Sequence, residues 1–514
     1  MENRKIIIGD TDGEKTLLEL LRGRGIYVPA YCGGSGTCGK CRVRILQDPP
    51  AATAPERECL SASELEAGVR LACLTVPKEG MEVEILAGDE AEMEIETSFS
   101  AAAETGAATA SEEAVTSSAY EETPDGMQHA QSGQSGPVAA AVDIGTTTVV
   151  MSAVDTTSGQ VLRTAAGVNH QRAYGADVIS RIDASNRGSG EVLQDLILQD
   201  LDQLQAQLGL PSGTQRVISG NTTMQHLLQG LPCKTLGVAP YTPVDISLHK
   251  YENMLLLPGI STYVGADIVS GITACGMDRS EEVCILVDLG TNGEIAIGNR
   301  DRILCASTAA GPAFEGGNIS CGMAGIPGAI SSVTIEDGKV FLKTIDDAPP
   351  AGLCGTGVLE TMYELLKEEI VDETGCMEDE WIDDGFPLAE GIVFTAKDVR
   401  ELQLAKSAVR AGMEVLLRSF GAGWSEIGRL FIAGGFGQKI NMEKAVGIGL
   451  LPEELQGRME PVGNSSLAGA VMAARDPAVI DRMVRAAQMA QEIPLAESPL
   501  FSDLYMEHMF FPEQ

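Results

Sequence analysis

Three thiols stand on one glycine-rich loop, Tyr31-Cys32-Gly33-Gly34-Ser35-Gly36-Thr37-Cys38-Gly39-Lys40-Cys41, and a fourth, Cys73, follows in Arg70-Leu71-Ala72-Cys73-Leu74. The spacing, C-x5-C-x2-C-x31-C, leaves enough chain to fold back and complete a cage of four sulfurs. Four thiolates at this spacing suit a [2Fe-2S] cluster, whose irons need four sulfur ligands, while the glycines let backbone N–H groups approach the sulfides. A zinc site is the alternative, but such sites usually show two C-x2-C pairs rather than one pair and two outliers. The expectation is therefore a cluster held by Cys32, Cys38, Cys41 and Cys73. Cys59 is left over and suits burial as a small apolar residue better than a ligand role.

A second chemistry begins at Val138. Ala139-Ala140-Ala141-Val142-Asp143-Ile144-Gly145-Thr146-Thr147-Thr148-Val149-Val150 reads as an apolar strand, a tight polar turn and a second strand. An Asp at a strand end followed by Gly and hydroxyl residues offers N–H and O–H donors to a phosphate and a carboxylate to a divalent metal. Cys284-Ile285-Leu286-Val287-Asp288-Leu289-Gly290-Thr291-Asn292-Gly293-Glu294-Ile295 repeats the design. Two such hairpins predict two similar subdomains facing each other across a nucleotide cleft. A third piece, Leu430-Phe431-Ile432-Ala433-Gly434-Gly435-Phe436-Gly437, sets glycines after an apolar strand, where backbone can lie close to an adenosine. Neither a G-x-x-x-x-G-K-[ST] loop nor a dinucleotide fingerprint occurs, which argues against P-loop and Rossmann folds.

The elements that must position these groups follow from apolar rhythm. Lys5-Ile6-Ile7-Ile8 reads as a strand, Thr16 caps a helix burying Leu17, Leu18, Leu20 and Leu21, and Cys41–Ile45 and Met81–Ile85 read as returning strands. Strand, helix, metal loop and returning strands make a β-grasp module over residues 1–88. Residues 89–137 are Ala, Glu, Ser, Thr, Gly and Gln with almost no large apolar side chains, the composition of a disordered linker. About fifty flexible residues span roughly 40 Å root-mean-square, enough for a travelling module or for an inert spacer. Residues 138–272 and 273–514 are then the two ATPase subdomains, so the fold class is α/β. Val192–Leu208 and Thr395–Leu417 read as amphipathic scaffold helices, and the apolar stretch Phe501–Phe511 as docked on the body or on another subunit.

The chain has 514 residues, with 36 Lys and Arg against 73 Asp and Glu and a formal net charge of -37. Such acidity disfavours nucleic acid and anionic membranes as partners. Twelve cysteines in a chain this long, five of them within the first 73 residues, do not form a secreted disulfide framework. No signal peptide opens the chain and no apolar run is long enough to span a membrane, so cytoplasm is the expected compartment. Of the remaining cysteines, Cys233, Cys275, Cys305, Cys321, Cys354 and Cys376 lack paired spacing and suit burial.

The cysteine spacing is one residue longer in its first gap than the plant-type pattern and resembles ferredoxins of the adrenodoxin and bacterial hydroxylase-partner kind. The two hairpins and the glycine strand resemble the acetate kinase, sugar kinase, Hsp70 and actin superfamily, whose lobes are ribonuclease H-like. A closer resemblance lies in Asn169-His170-Gln171-Arg172-Ala173-Tyr174-Gly175-Ala176-Asp177-Val178-Ile179-Ser180-Arg181-Ile182, Gly220-Asn221-Thr222-Thr223-Met224, Ser307-Thr308-Ala309-Ala310-Gly311-Pro312-Ala313-Phe314-Glu315-Gly316, Gly352-Leu353-Cys354-Gly355-Thr356-Gly357 and Gly449-Leu450-Leu451-Pro452. These blocks resemble the reductive activators of corrinoid proteins, over everything except the linker. Longer members of that family carry a folded linker domain where this chain has its low-complexity stretch.

The resemblance implies an ATP-dependent enzyme that returns inactive Co(II) corrinoid to Co(I) for methyl transfer, with the electron delivered through the [2Fe-2S] cluster. A plant-type cluster sits near about -400 mV, and each ~59 mV of unfavourable gap costs tenfold for one electron, so ATP must supply a difference. It also implies Asp143 and Asp288 holding Mg2+ through water, Gly145, Thr146, Thr147, Gly290, Thr291 and Asn292 around the phosphates, and Gly434, Gly435 and Gly437 on the adenosine side. Glu294 and Glu315 are candidates for positioning water, or else solvated and helix-capping groups, and Asp177 and Asp267 suit structural hydrogen bonding. The implied partners are a corrinoid protein of a methyltransferase system, an upstream electron donor protein and a second copy in a homodimer. An activator of another low-potential enzyme on the same ATPase fold, or a nucleotide-gated redox regulator, are the competing readings; the opening cysteines count against the first of these.

Overall fold

The computed structural model describes residues 5–9, 16–24, 26, 28, 30, 34–37, 39–86, 98, 137–290 and 292–513. Cys32, Cys38, Thr291 and, apart from Ser98 and Pro137, the linker lie outside the described residues.

Strands β1 (Lys5–Ile7), β2 (Arg42–Ile45), β3 (Val69–Leu71) and β4 (Glu82–Ile85) form one antiparallel sheet in the order β1-β4-β2-β3. The helix Leu17–Gly23 starts at Thr16, whose hydroxyl accepts from Glu19 N while the Glu19 carboxylate accepts from Thr16 N. That reciprocal cap satisfies two otherwise orphaned donors. Leu17, Leu18 and Leu21 then pack with Val43, Leu71 and Val83 in the core of this unit. Two short helices, Ala54–Cys59 and Ala62–Glu66, were not anticipated from apolar rhythm. Their signal is the pair of capping boxes Thr53/Glu56 and Ser61/Glu64. Buried Glu56 also accepts from Leu71 N at 2.8 Å, which ties the first of them to β3.

The rest of the chain builds two six-stranded sheets of matching design. The first joins β5 (Val138–Ile144), β6 (Thr148–Asp155), β7 (Val161–Val168), β8 (Arg216–Gly220), β9 (His249–Tyr251) and β10 (Met254–Leu256) in the order β7-β6-β5-β8-β10-β9. The second contains β11 (Val283–Leu289), β12 (Gly293–Gly298) and β13 (Ile303–Thr308). Between its parts lie a three-stranded sheet of β14 (Ala329–Glu336), β15 (Lys339–Thr344) and β16 (Gly352–Leu353) and a hairpin of β17 (Phe386–Ala389) and β18 (Ile392–Phe394). With β19 (Ile427–Ala433), β20 (Met459–Gly463) and β21 (Ala490–Glu492) the second sheet runs β20-β19-β11-β12-β13-β21. In each sheet three antiparallel strands continue into two parallel ones, β5-β8-β10 and β11-β19-β20. The paired hairpins are thus the first strands of a repeated unit.

The two units exchange helices. Ala266–Ala274, which follows β10, buries Ile268 and Ile272 with Leu286, Ala296 and Phe431 of the second sheet. Ser465–Arg475, which follows β20, buries Leu467, Ala470 and Val471 with Ala141, Val150 and Val217 of the first. The helices touch where Gly469 faces Ser270: a Cβ on Gly469 would lie 2.5–2.6 Å from the Ser270 Cβ, Cα and carbonyl oxygen. Gly469→Val is expected to cost about 1–3 kcal/mol or more, since backbone rather than a flexible side chain must yield. A lowered ATPase-body Tm in a thermal scan checks this, and an unchanged Tm rejects the crossing.

The long helix Ala396–Phe420 covers the second sheet, and the C-terminal segment docks onto it. Buried Lys406 donates to the His508 and Phe510 carbonyls at 2.6 and 2.5 Å and lies 4.6 Å from the Phe511 ring centroid. The apolar stretch Phe501–Phe511 is therefore held within the chain. Among the described residues no helix is long and apolar enough to cross a membrane.

Candidate functional site

Strand ends deliver the carboxylates. Asp143 ends β5 beside Ser219 of β8, and Asp288 occupies the same place in the second unit, opposite Glu294 on β12 and beside Ala433 on β19. The turn after Asp143 is braced from behind. Gly145 N donates to Thr148 O at 2.9 Å, closing the turn. Buried Asn169 donates to Gly145 O at 2.9 Å, Arg181 donates to Thr146 O, and Asn221 donates to the Thr146 hydroxyl at 3.1 Å. Three side chains thus brace Gly145 and Thr146, and Asn169 N donates to Thr147 O at 2.9 Å. In the second hairpin Gly290 N donates to Asn292 O at 3.2 Å, and the Asn292 side chain bonds Glu294.

The helix exchange brings further groups to these aspartates. Asn464, the cap of Ser465–Arg475, donates to Asp143 Oδ2 at 2.9 Å, and Ser466 donates to Oδ1 at 2.6 Å. Ser466 is also 2.9 Å from Ser219, which is 2.9 Å from Ser270, so a buried hydroxyl chain runs from Asp143 to the other exchanged helix. Asp267, near the start of Ala266–Ala274, accepts from Ile268 N at 2.8 Å and faces Asp143, Asp288 and Glu294. Sequence reasoning gave Asp267 a structural role and missed Asn464 and Ser466. The N-cap pattern Asn464-Ser465-Ser466 was legible, but nothing in the sequence placed it against Asp143.

These carboxyls resist ionising together. Burial raises Asp143 despite the bonds from Ser466 and Asn464. Asp267 is pushed up to about 7 by burial, with the Asp143 charge adding to it. Asp288 also reaches about 7, by burial first and then by Asp267, Asp143 and Glu315. Glu294 is raised well above the usual carboxylate range by burial and by Asp267 and Asp288. A divalent cation would relieve this repulsion. Among the described residues no three carboxylate, imidazole or thiol groups converge as a direct metal cage.

The third glycine piece serves the same spot. Gly434 has φ of 88°, and a Cβ there would sit 2.8 Å from Asp288 Oδ1 and 2.8 Å from Leu289 O. Gly434 N donates to Gly463 O at 3.0 Å, and a Cβ on Gly437 would meet Ile432 at 2.8 Å. Gly435 opens the short helix Gly435–Lys439, and Phe436 within it stacks on Phe314 with ring centroids 4.9 Å apart. Exposed Glu315 follows Phe314 and contributes to the field on Asp288. Asp177 lies elsewhere: it caps Val178–Ala184 by accepting from Ser180 N at 2.8 Å, a structural role.

In the N-terminal unit the Cys41 and Cys73 sulfurs are 3.3 Å apart and buried, two corners of the expected cage brought together across β2 and the turn after β3. Gly34 and Gly36 take φ of 103° and 82°, which only glycine adopts without strain. Cys59 is half-buried, its Sγ 3.8 Å from Thr37 O. Converging sulfurs beside a left-handed glycine loop fit a thiolate-bound cluster.

Three family models match along the chain: the 2Fe-2S iron-sulfur cluster binding domain over residues 2–78, the RACo middle region over 138–280, and the C-terminal, ASKHA domain of RACo over 282–514. The corrinoid activation enzyme RamQ of Eubacterium limosum is 32% identical over 420 residues, covering 72% of this chain and 70% of its own. The chain belongs to the reductive activators of corrinoid proteins. The activator is also 24% identical over 421 residues to the [Co(II) methylated amine-specific corrinoid protein] reductase of Methanosarcina barkeri, covering 71% and 75% of the two chains. A solved structure, the reductive activator for a corrinoid, iron-sulfur protein, matches with a TM-score of 0.66 and 27% identity over 99% of the activator and 96% of that chain. The expected fold, a 2Fe-2S domain joined to a two-lobed actin-like body, is thereby borne out.

Proposed function

We propose that the chain uses ATP to return a Co(II) corrinoid protein to Co(I), and that its electron passes through a [2Fe-2S] cluster held by Cys32, Cys38, Cys41 and Cys73. The observation that carries this is the union, in one chain, of a 2Fe-2S binding domain with two mirrored lobes whose strand-end aspartates face each other. When bound, the cluster supplies a one-electron carrier. The chain's own residues do the rest. Asp143 and Asp288 hold Mg2+ through its waters, and Gly145, Thr146, Thr147, Gly290, Thr291 and Asn292 donate to the phosphates. Gly434, Gly435 and Gly437 lie on the adenosine side, with Gly434 packed against Asp288 and Gly437 against Ile432. Glu294, across the hairpin from Asp288, positions the attacking water.

Lobe closure over the triphosphate is the two-state element. Nucleotide can drive an uphill electron only by favouring a form of the body that treats the Co(II) and Co(I) partners differently. The partner is a corrinoid protein of a methyltransferase system, the reductant an electron donor protein, the assembly a homodimer and the compartment the cytoplasm.

The deciding experiment mixes anaerobically reconstituted protein, reductant, Co(II) corrinoid protein and Mg-ATP. Growth of the Co(I) absorption band only when ATP is present supports the reading; no growth and no stimulation of ATP turnover defeats it. Ser466→Ala probes the ion site. A hydrogen bond to a charged group is worth about 1.5–3 kcal/mol, so Mg-nucleotide binding should weaken about tenfold or more. Titration calorimetry at several Mg2+ concentrations checks this, and an unchanged affinity removes Asp143 from the ion.

A further inference from the structure

Arg22 lies in the last turn of the helix Leu17–Gly23, within the cluster-binding unit, and its guanidinium carbon is 5.1 Å from the centroid of the Tyr174 ring in the ATPase body. Its Nε and Nη2 are buried with no hydrogen-bond partner among the described residues. Burial works against the cation, and the charges of Tyr174, Cys41, Glu19 and Cys73 favour it. Two of those four groups are the sulfurs that converge in the cage. The helix is fixed to the cage as well: Leu18 N donates to Ala72 O at 3.0 Å, and a Cβ on Gly34 would touch Leu18 at 3.4 Å.

Tyr174 ends the short helix His170–Tyr174, between the two braces of the first phosphate turn. Asn169 on one side donates to Gly145 O at 2.9 Å. Arg181 on the other donates to Thr146 O and, through Nε, to Gly175 O at 2.9 Å.

We propose that Arg22 and Tyr174 form the seat on which the cluster-binding unit docks against the ATPase body, and that nucleotide in the cleft opens it. This rests on the function proposed above. A single cation–π contact is a weak hold, and the chain connection keeps the unit near the body after that hold is released. The seat is thus weak enough to open and close within a turnover. Arg22 is also a charge beside the cage. Seated and shielded from water, its cation favours the extra negative charge of a reduced cluster; unseated and solvated, it is screened. Opening the seat therefore turns the same one-electron carrier into a stronger reductant, with the electron leaving to the Co(II) partner and no other group oxidised or reduced.

The test is a spectroscopic redox titration of the full reconstituted chain, paired with hydrogen exchange over Leu17–Gly23. Tyr174 lies outside the cluster-binding unit, so its replacement leaves the cage intact. Tyr174→Leu should shift the reduction equilibrium about tenfold toward the oxidised form, ~59 mV for one electron, and raise exchange in the helix. Tyr174→Phe keeps the ring and should match wild type. A non-hydrolysable ATP analogue should move wild type in the direction of Tyr174→Leu and leave that variant unmoved. If Tyr174→Leu matches wild type in both potential and exchange while cluster and nucleotide bind normally, the seat is overturned and the proposed function stands. If wild type binds no cluster or no nucleotide, both fall together.

Discussion

Asp288→Asn is expected to lower ATP hydrolysis by about 10²–10³-fold, the scale of losing one well-placed electrostatic group at a phosphoryl site, while leaving cluster absorbance unchanged. The same substitution should make the metal-free protein more stable at neutral and alkaline pH. The Asp288 carboxyl titrates at about 7 in the folded protein, pushed up by burial and then by Asp267, Asp143 and Glu315, against about 3.9 in an unfolded chain. Between those values the folded protein holds a proton that the unfolded chain has lost. Stability from this group is therefore complete below pH ~4 and is lost as pH rises through about 7. Each tenfold change in proton affinity is ~1.4 kcal/mol, so the ionised Asp288 costs a few kcal/mol that asparagine does not. Chemical denaturation at pH 5 and pH 8, without metal, checks it: the variant's gain on wild type should be clearly larger at pH 8 than at pH 5. Normal turnover in Asp288→Asn would remove this carboxylate from the ion, and a pH-independent difference would place its charge elsewhere.

The repulsion that makes the cleft unstable alone is what makes it receptive to a cation, and it was only half legible in the sequence. Asp143 and Asp288 could be read because each sits in a strand–turn–strand pattern whose period and turn residues are local. The same pattern met twice predicted two similar subdomains, although not their strand order. Asp267, Asn464 and Ser466 could not be read this way. They reach the site because two helices are exchanged between the units, and that exchange is fixed by the contact of Gly469 with Ser270, a long-range packing fact without local periodicity. Gly434 was assigned to the adenosine side on its glycine alone; its proximity to Asp288 arises from the β11–β19 register, which pairs Asp288 with Ala433. The helices Ala54–Cys59 and Ala62–Glu66 escaped apolar rhythm because they are short, although their capping boxes were in plain view. Seating of the first unit by Arg22 and Tyr174 had no sequence signal, since a cation–π pair between distant segments has neither spacing nor composition.

Cys41→Ser is expected to abolish the visible cluster spectrum and to leave nucleotide affinity within about threefold of wild type. A serine hydroxyl at this position cannot match a thiolate as an iron ligand, and Cys41 is buried with its sulfur 3.3 Å from that of Cys73. Loss of one corner should thus empty the cage. The nucleotide cleft should survive because the two parts bury separate cores: Leu17, Leu21, Val43 and Val83 pack among themselves, while Ile144, Val149, Ile218 and Met224 pack under the first phosphate turn. The contact between Arg22 and Tyr174 is worth on the order of 2 kcal/mol, and only the fraction that nucleotide changes can appear in its affinity. Absorbance after anaerobic iron and sulfide reconstitution reads the first effect, and calorimetric titration with Mg-ATP reads the second. Unchanged absorbance in Cys41→Ser would remove that residue from the cage. A nucleotide affinity that collapsed with the cluster would show that the cleft depends on the iron-sulfur unit for its shape, and the two activities would then have to be treated as one.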